Sequence, residues 1–341
     1  MKIALFAFTR QGIRTAQDCA QALAGEQDIV RMFAPRRLEK SGMECLEPPL
    51  AEFCGPVFQW ADAMIFTGAA GIAVRAIAPH VRDKQTDPAV LSVDELARFV
   101  IPLLSGHIGG ANEMAVRLAD ALKAAAAVST ATDINGRFSV DAWAVKQGLL
   151  IDDIKAAKAV SAAVLEGNVP LVSDFPIIGP LPPGVVLGDS GDVGICISWR
   201  RKNPFLTTLL LVPKVVRLGI GCKKNIEAHA IAGLVDKILD KFGIHPEAVK
   251  CVATIDLKKN EAGLLDFCRE RNLPLACYSA EELRAVPGEF TPSDFVQSIT
   301  GVENVCERAA AMNGGQLIVK KTASSGVTVA AAVEYWEVQF G

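Results

Sequence analysis

Short apolar runs that alternate with helical patterns organise most of this 341-residue chain. Four such runs in the first third have the composition of strands that are buried on both faces. They cover residues 3–8, 63–67, 89–92 and 99–104. Glycine-bearing or polar turns and amphipathic helices follow three of them, which predicts a mostly parallel sheet with helices on both faces. Because ligands bind beyond the carboxyl ends of such strands, we expect the turns at 9–12, 68–71 and 105–112 to share that edge.

The rest of the chain divides into a middle region that is rich in proline and glycine and a second segment in which strand and helix patterns alternate. Residues 31–56 contain four prolines and are predicted to be irregular. The middle region combines helical segments and short strands with many prolines and glycines, which is typical of a small α/β lobe or of an insertion. We therefore predict an α/β fold with two doubly wound, mostly parallel-sheet domains, 1–128 and 214–341, joined by a smaller middle α/β region, 129–213.

The composition argues against several functions and locations. A net charge of -3 and an aromatic content of 6% argue against a nucleic-acid binder that relies on positive charge and base stacking. No apolar run approaches the ~20 residues of a membrane span, and we interpret the N-terminus as a first strand rather than a signal peptide. Nine cysteines without a C-x-x-C pair, and only four histidines, predict no metal site and a reducing, cytoplasmic location.

The turn from Ser105 to Asn112 is the most suggestive candidate site. It joins a predicted strand to a predicted helix, so backbone N–H groups and the positive end of the helix dipole would lie beside His107. That arrangement suits an anionic or carbonyl-bearing ligand, but the turn has neither a dinucleotide fingerprint nor a P-loop. A loop histidine can act as a general base near neutral pH, or it can simply cap a helix. Ser105 lacks the G-x-S-x-G setting of a hydrolase nucleophile.

Two further turns have the character of anion sites. Residues 68–71, followed by Arg75, would combine backbone N–H groups with a guanidinium, or they form only a tight turn with a solvated arginine. Residues 219–224 are expected to form a second anion cradle at a helix start, with Asn225 as the N-cap. Cys222 in this cradle would have a lowered pKa and act as a reactive thiolate, or it is only a small residue that fits.

Cations gather in the predicted strand-end loops although the net charge is negative. They are Arg10, Arg14, Arg75, Arg82, Lys84, Lys223, Lys224, Lys258, Lys259, Lys320 and Lys321. These side chains are either ordinary solvated charges or the lining of a common cleft. A cleft for a polycarboxylate would need such a set, because the local field matters more than the net charge.

Five stretches, in this order, resemble the cobalt-precorrin-5A hydrolase family of the anaerobic cobalamin pathway. They are TGAAGIAVR at 67–75, LLSGHIGGAN at 103–112, TATD at 130–133, SVD at 139–141 and LGIGCKK at 218–224. The resemblance covers nearly the whole chain, and the 105–112 run is its most specific part.

The resemblance implies a substrate and a reaction. The substrate is a cobalt-bearing, ring-methylated tetrapyrrole with many carboxylate arms. Its δ-lactone is opened with water and its two-carbon bridge leaves as acetaldehyde, which gives cobalt-precorrin-5B. The cobalt belongs to the substrate, so no cofactor of the protein is implied. We hypothesise that His107 is the general base and that Asp133, because of its loop position, assists fragment release. Backbone N–H groups of residues 106–111 or 69–72 would stabilise the oxyanion.

The residues expected to hold this substrate lie in the glycine-bearing stretches. They are Gly68, Ala69, Ala70, Gly71, Arg75, Ser105, Gly106, Gly109, Gly110, Asn112, Gly219, Gly221 and Lys223. A non-catalytic protein that binds corrinoid intermediates and passes them between enzymes is the alternative. A phosphate or sugar-nucleotide enzyme also fits the glycine turns but lacks a phosphate motif. A homodimer and transient contact with neighbouring pathway methyltransferases are left open.

Overall fold

The structure, a computed structural model, describes residues 1–340 except 24, 26, 39–41, 48, 84, 85 and 108, and only the backbone of Asp133 and Phe295. Pro48, Lys84 and Ile108 therefore lie outside the described residues. The chain forms two compact units, Met1–Ala142 and Trp143–Gly341. The predicted domain boundaries after residues 128 and 213 stay predictions.

The first unit contains one seven-stranded sheet. Its strands are β1 (Lys2–Ala7), β2 (Ile29–Pro35), β3 (Glu44–Leu46), β4 (Ala63–Thr67), β5 (Ala89–Val93), β6 (Phe99–Leu104) and β7 (Ala125–Ala126). They are arranged in the order β3-β2-β1-β4-β5-β6-β7. Only the β5–β6 pair is antiparallel among these described strands, so the predicted mostly parallel sheet is confirmed.

Helices cover both faces of this sheet. The helices up to the end of the unit are α1 (Arg10–Leu23), α2 (Leu50–Trp60), α3 (Ala70–Ile77), α4 (Ala111–Leu122), α5 (Ala131–Ile134) and α6 (Val140–Lys146), which continues into the second unit. Alternate residues of β1 point to opposite faces. Ile3 and Leu5 pack with α1 and α4, whereas Ala4 and Phe6 pack with α2 and α3. The predicted doubly wound arrangement is therefore confirmed for this unit.

The expectation that three glycine-bearing turns share one edge of the sheet is wrong. β6 runs antiparallel to β5, and Leu104 lies opposite Val90 near the amino end of β5. The 105–112 turn that follows β6 therefore lies at the amino-terminal edge of the parallel strands. The turn that begins at Gly68 lies at the other edge, where the Gly68 N–H donates to the carbonyl of Val93.

The interpretation of residues 31–56 as irregular is also wrong. This segment contains most of β2, all of β3 and the first part of α2. β2 lies between β1 and β3, and its Phe33 is buried. The prolines are tolerated because Pro35 ends β2, Pro49 precedes the first residue of α2, and Pro56 alone among the described prolines of this segment lies inside a helix.

The second unit begins with a small α/β lobe. Its elements are α7 (Ile154–Glu166) and the strands β8 (Leu150–Ile151), β9 (Val169–Ser173), β10 (Ile177–Ile178), β11 (Val185–Leu187), β12 (Val193–Ile197) and β13 (Thr207–Val212). Five of these strands form a sheet in the order β11-β9-β12-β13-β8, in which only β8 is antiparallel among the described pairs. Of the two interpretations of the middle region, the structure favours a small α/β lobe.

A second five-stranded sheet follows in the same unit. Its lobe consists of β14 (Val216–Cys222), β15 (Val249–Ile255), β16 (Leu275–Tyr278), β17 (Gln316–Ser324), β18 (Val327–Val333), α8 (Ala228–Lys241), α9 (Ala262–Glu270), α10 (Ala280–Ala285), α11 (Asp294–Thr300) and α12 (Val305–Ala310), with β19 (Val338–Gln339) pairing with β10. The strand order is β16-β15-β14-β18-β17. The α/β class is confirmed, and the β17–β18 hairpin makes half of the pairs in this sheet antiparallel. Among the described residues, no helix is long and apolar enough to cross a bilayer.

Candidate functional site

His107 lies in the turn between β6 and α4, and two side chains from the following segment contact its ring. Nε2 is 3.2 Å from Oγ1 of Thr132, and Nδ1 is 3.5 Å from Oδ1 of Asp141. Thr132 belongs to α5, and Asp141 lies in the first turn of α6. The side chains of His107 and Asp141 are 19% and 14% exposed, so solvent still reaches both. The structure thus brings a hydroxyl, an imidazole and a carboxylate together, as acid–base chemistry requires.

Asp141 is held in its charged form. Burial would raise the pKa of this carboxyl, but the hydrogen bond and charge of His107, together with the Ala142 N–H at 3.0 Å and the Ser139 hydroxyl at 3.2 Å, lower the pKa below its ordinary value. A charged Asp141 favours the imidazole tautomer with its proton on Nδ1, which leaves Nε2 as the basic nitrogen. The predicted loop position of Asp133 is wrong, because its backbone belongs to α5; its side chain lies outside the described residues, so its role stays a prediction.

The 105–112 turn is built on close contacts within itself. Ser105 is buried with φ of 56°, and its hydroxyl donates to the carbonyl of Asp87 at 2.9 Å. A Cβ on Gly109 would lie 2.4 Å from the Cβ of Ser105, and one on Gly106 would lie 2.7 Å from Oδ1 of Asn112. These glycines and the serine hydroxyl therefore have packing roles that do not require a ligand.

Two of the backbone donors predicted for the oxyanion are already occupied. The Gly110 N–H donates to the carbonyl of His107 at 3.0 Å, and the Ala111 N–H donates to that of Ser105 at 3.2 Å. Asn112, in turn, donates from Nδ2 to Oγ1 of Thr130 at 2.5 Å and so ties the turn to the segment that carries Thr132. Within the described part of the turn, the N–H groups of Gly106 and Gly109 remain candidates.

The turn at residues 68–71 does not join the His107 cluster. Gly68 is buried, whereas Ala69, Gly71 and Arg75 are exposed, and Arg75 donates to the carbonyl of Gly71 at 3.4 Å. This turn and the 105–112 turn lie at opposite ends of β5, whose five residues span roughly 16 Å. The hypothesis that the N–H groups of 69–72 serve the same oxyanion as His107 is therefore wrong. A substrate-binding role for Gly68, Ala69, Ala70, Gly71 and Arg75 stays a prediction.

A cavity of about 760 Å³ opens in the C-terminal lobe of the second unit. It lies beyond the carboxyl ends of β14 and β15 and beside the β17–β18 hairpin, where ligands bind in open α/β sheets. Val296 and Ile299 of α11 and Val305 of α12 form an apolar part of its wall. Its volume falls within the range of roughly 300–1,000 Å³ that is usual for small-molecule sites.

Four lysines line this cavity, and we call them the lysine cluster: Lys223, Lys224, Lys258 and Lys321. The prediction that these cations line a common cleft is confirmed for these four, although Lys321 lies inside β17 and not in a loop. Lys259 and Lys320, their sequence neighbours, are exposed and are not among the residues that line it. Arg10, Arg14, Arg75 and Arg82 belong to the first unit.

Two expectations about the predicted anion cradle at residues 219–224 are wrong. Gly219 and Gly221 lie inside β14 rather than in a loop. A Cβ on Gly219 would lie 1.8 Å from the carbonyl oxygen of Cys306, so this glycine allows α12 to pack directly on the sheet. The helix that follows begins only at Ala228 with Glu227 as its N-cap, whereas Asn225 has φ of 59° and is not the cap. Gly221 and Lys223 do line the cavity.

Cys222 also differs from its prediction. Burial raises the pKa of its thiol and outweighs the opposite effect of Lys258. Because no helix N-terminus follows directly, the dipole that was expected to lower the pKa is absent at this residue. Cys222 is therefore a small residue that fits, which was the second of the two interpretations.

Sequence reasoning missed Thr132 and Asp141 as neighbours of His107. Their signal was present, because both lie in stretches that carry the family resemblance, TATD at 130–133 and SVD at 139–141. Within the described residues, no group of three or more His, Cys, Asp or Glu side chains could hold a metal ion.

Comparisons with known proteins cover nearly the whole chain. The family models described as "Cobalamin synthesis G N-terminal" and "Cobalamin synthesis G C-terminus" match residues 52–133 and 216–332. A cobalt-precorrin-5A hydrolase from Salmonella typhimurium is 32% identical over 348 residues, or 98% of each chain. One from Priestia megaterium is 28% identical and covers 96% of this chain and 94% of its own. The solved structure of CobE, a protein from the cobalamin (vitamin B12) biosynthetic pathway, is 25% identical with a TM-score of 0.34, and covers 36% of this chain and 92% of its own.

These matches confirm the resemblance drawn from the five sequence stretches. Since the Salmonella protein is 32% identical and is aligned over 98% of both chains, this chain belongs to the cobalt-precorrin-5A hydrolase family.

Proposed function

We propose that this protein is a cobalt-precorrin-5A hydrolase, which opens the δ-lactone of its substrate with water and releases acetaldehyde to give cobalt-precorrin-5B. Family membership supports the hydrolase activity. The observation that carries the chemistry is the contact of His107 with the charged Asp141, because hydrolysis near neutral pH needs an oriented base.

In the first step, Nε2 of His107 takes a proton from water as that water attacks the lactone carbonyl. Asp141 holds the ring through Nδ1 and stabilises the imidazolium that forms. Backbone N–H groups of Gly106 and Gly109 are the proposed donors to the oxyanion, and one such donor contributes about 3 kcal/mol. Collapse of the intermediate breaks the bond to the ring oxygen, which leaves as a hydroxyl with the proton held by His107.

In the second step, the newly released hydroxyl loses its proton and becomes the carbonyl of acetaldehyde. The bond between its carbon and the macrocycle breaks, and the electron pair passes into the conjugated ring system, which takes up the proton held by the base. One water is consumed over both steps, and one acetaldehyde leaves. His107 is again neutral after the first step and is one proposed base, and Asp133 is the other. The cobalt enters with the substrate, and we propose no resident cofactor.

A non-catalytic corrinoid-binding protein is the alternative function, and it is not favoured. Binding alone needs no imidazole–carboxylate pair, whereas water activation does. Anaerobic incubation with cobalt-precorrin-5A separates the two functions. We expect a corrinoid product that has lost the two-carbon unit, and one equivalent of acetaldehyde trapped as its hydrazone. Tight binding of an unchanged corrinoid with no trapped aldehyde would instead support the alternative.

We also propose a cytoplasmic location, which all nine cysteines as free thiols support. The homodimer and the transient contact with pathway methyltransferases stay predictions. Size-exclusion chromatography of the pure protein, alone and with each neighbouring methyltransferase, tests both.

A further inference from the structure

We propose that the cavity of the C-terminal lobe holds the tetrapyrrole itself, with the apolar wall against the ring and the lysine cluster on its carboxylate arms. This assignment deepens the proposed function and rests on it for the identity of the ligand. The cavity, its apolar wall and its cations are themselves observed in the described residues of the lobe, and they do not depend on the proposed function.

The cavity combines two surfaces that a polycarboxylate macrocycle needs. Val296 and Ile299 of α11 give one side a continuous apolar wall, and Ile299 remains 62% exposed, so its side chain is uncovered for a ligand face. Ile255, at the end of β15, adds to the apolar lining. No Asp or Glu side chain is among the described residues that line the cavity, so a carboxylate-bearing ligand meets no like charge there.

The lysine cluster keeps charge available for a ligand. In the part of the chain that the structure describes, Lys223 and Lys321 have no acidic side chain within ion-pair distance. Lys258 pairs with Glu261 at 3.2 Å, and its ammonium still has further N–H donors. A lysine that has no acidic partner and lies next to an apolar wall can pair with a carboxylate arm of the ligand while the wall covers the ligand's ring.

Backbone hydrogen bonds within the lobe position Lys223 and Lys321. The Lys321 N–H donates at 2.6 Å to the fully buried carboxylate of Glu307, which ties β17 to α12. The Lys223 N–H donates at 2.9 Å to the carbonyl of Gly326 in the hairpin turn. A Cβ on Gly326 would lie 2.7 Å from Cδ of Lys223, so this glycine leaves room for the lysine stem. Both lysines are therefore anchored through their backbones and line the cavity.

The chain supplies matched variants for a test, because each of two cavity lysines has a neighbouring lysine outside the cavity. Lys258→Ala and Lys321→Ala are the test variants, and Lys259→Ala and Lys320→Ala are their controls. The full-length proteins are titrated, by the visible absorbance of the cobalt, with a stable cobalt corrinoid whose arms are free carboxylic acids. A second titration uses the same corrinoid with its arms converted to primary amides.

We expect each test variant to weaken binding of the acid by about 5-fold, and the double variant by about 25-fold, since separate charges act nearly additively. The controls should bind like the wild type, and the amide should bind all proteins equally weakly. Equal binding of the acid by test and control variants would overturn the assignment, as would lysine-dependent affinity for inorganic phosphate that exceeds the affinity for the acid. Lysine-dependent binding without acetaldehyde release would keep the site and reject the proposed catalysis.

Discussion

At the scale of single residues, the contact between His107 and Asp141 predicts a defined loss of catalysis. His107→Ala removes the base and should lower kcat by roughly 10²–10⁴-fold. Asp141→Asn keeps the shape but removes the charge that holds the ring, and should lower kcat by as much as about 10⁴-fold. KM should change little, because neither residue belongs to the cavity that we assign to binding. Initial rates of acetaldehyde release measure both effects.

His229→Ala is a suitable control for that experiment, because the side chain of His229 is 80% exposed on α8. It should be as active as the wild type. A His107→Ala protein that opens the lactone at the wild-type rate would remove the assignment of the base.

Thr132 raises a second question, because its hydroxyl contacts Nε2 of His107 at 3.2 Å. In principle this hydroxyl, rather than water, could attack the lactone. Thr132 is only 5% exposed, so a macrocyclic ester has little access to it, and we expect it to position the imidazole instead. Thr132→Val should then lower kcat by no more than about 10-fold, the contribution of one lost hydrogen bond.

Rates of Thr132→Ser and Thr132→Val measured together decide the point. If the valine variant is as inactive as His107→Ala while the serine variant is active, the hydroxyl is the nucleophile. Mass spectrometry of the quenched enzyme would then show an acylated peptide containing residue 132.

The lowered pKa of Asp141 predicts how stability depends on pH. Because the pKa in the folded protein is below the value of about 3.9 in an unfolded chain, this residue contributes stability above pH 4. That contribution is lost as the pH falls through the folded pKa. At pH 5, Asp141→Asn should lower the free energy of unfolding by about 1–2 kcal/mol, and the difference should shrink towards pH 3. Urea unfolding at a series of pH values measures it, and a constant difference from pH 5 to 3 would attribute the loss to packing.

The sequence predicted some of these residues and not others, for physical reasons. His107 stood out because a loop histidine has few structural roles, whereas Asp141 lies 34 positions away and approaches it only through the path of α5 and α6. The cavity lysines were found because each follows a predicted strand, although Lys321 lies inside β17 in the structure. The interpretation of Cys222 as a reactive thiolate was wrong because it depended on a helix start, which the structure places six residues later.

At the scale of elements, the contact of α12 with β14 makes Gly219 a packing residue. A Cβ there would meet the backbone carbonyl of Cys306 at 1.8 Å, and a backbone atom of a packed helix has little freedom to move. Gly219→Ala should therefore lower the free energy of unfolding by about 3 kcal/mol. Gly233→Ala is the matched control, since its Cβ would meet nothing within 4 Å on the exposed side of α8, and it should raise stability by about 0.5–1 kcal/mol.

Urea midpoints of the two variants, compared with the wild type, test this prediction. An alanine at position 219 that leaves the midpoint unchanged would show that α12 is not held against β14 as described. It would also return Gly219 to the candidates for substrate contact.

The direction of β6 could be predicted from the length of the preceding loop, but not from the pattern of strands and helices alone. Only five residues separate the end of β5 from the start of β6. A parallel connection needs a crossover of a dozen or more residues, so this short link permits only a hairpin. The reversal that moved the 105–112 turn to the other edge was thus encoded in a loop length. By contrast, β2 and α2 were hidden by prolines, because proline counts do not reveal whether a proline stands at an element's end or inside it.

At the scale of the whole molecule, net charge and local charge predict opposite effects of salt. The chain carries a net charge of -3, which would repel a polycarboxylate substrate. If that repulsion dominated, added salt would screen it and KM would fall. The lysine cluster instead attracts the substrate at short range, and screening that attraction would raise KM. The sign of the salt effect therefore distinguishes a protein acting through its overall field from one acting through a local site.

We expect the local site to dominate, because no Asp or Glu is among the described residues that line the cavity, and charges further away than about 10 Å are largely screened at 0.1 M salt. KM for cobalt-precorrin-5A should rise by about 5-fold or more between roughly 0.05 and 0.5 M sodium chloride. kcat should stay nearly constant, since Asp141 and His107 interact within the protein. In the Lys258→Ala/Lys321→Ala protein the same salt series should give a much shallower rise. A KM that falls with salt in the wild type would mean that the cavity cations do not hold the substrate's carboxylates.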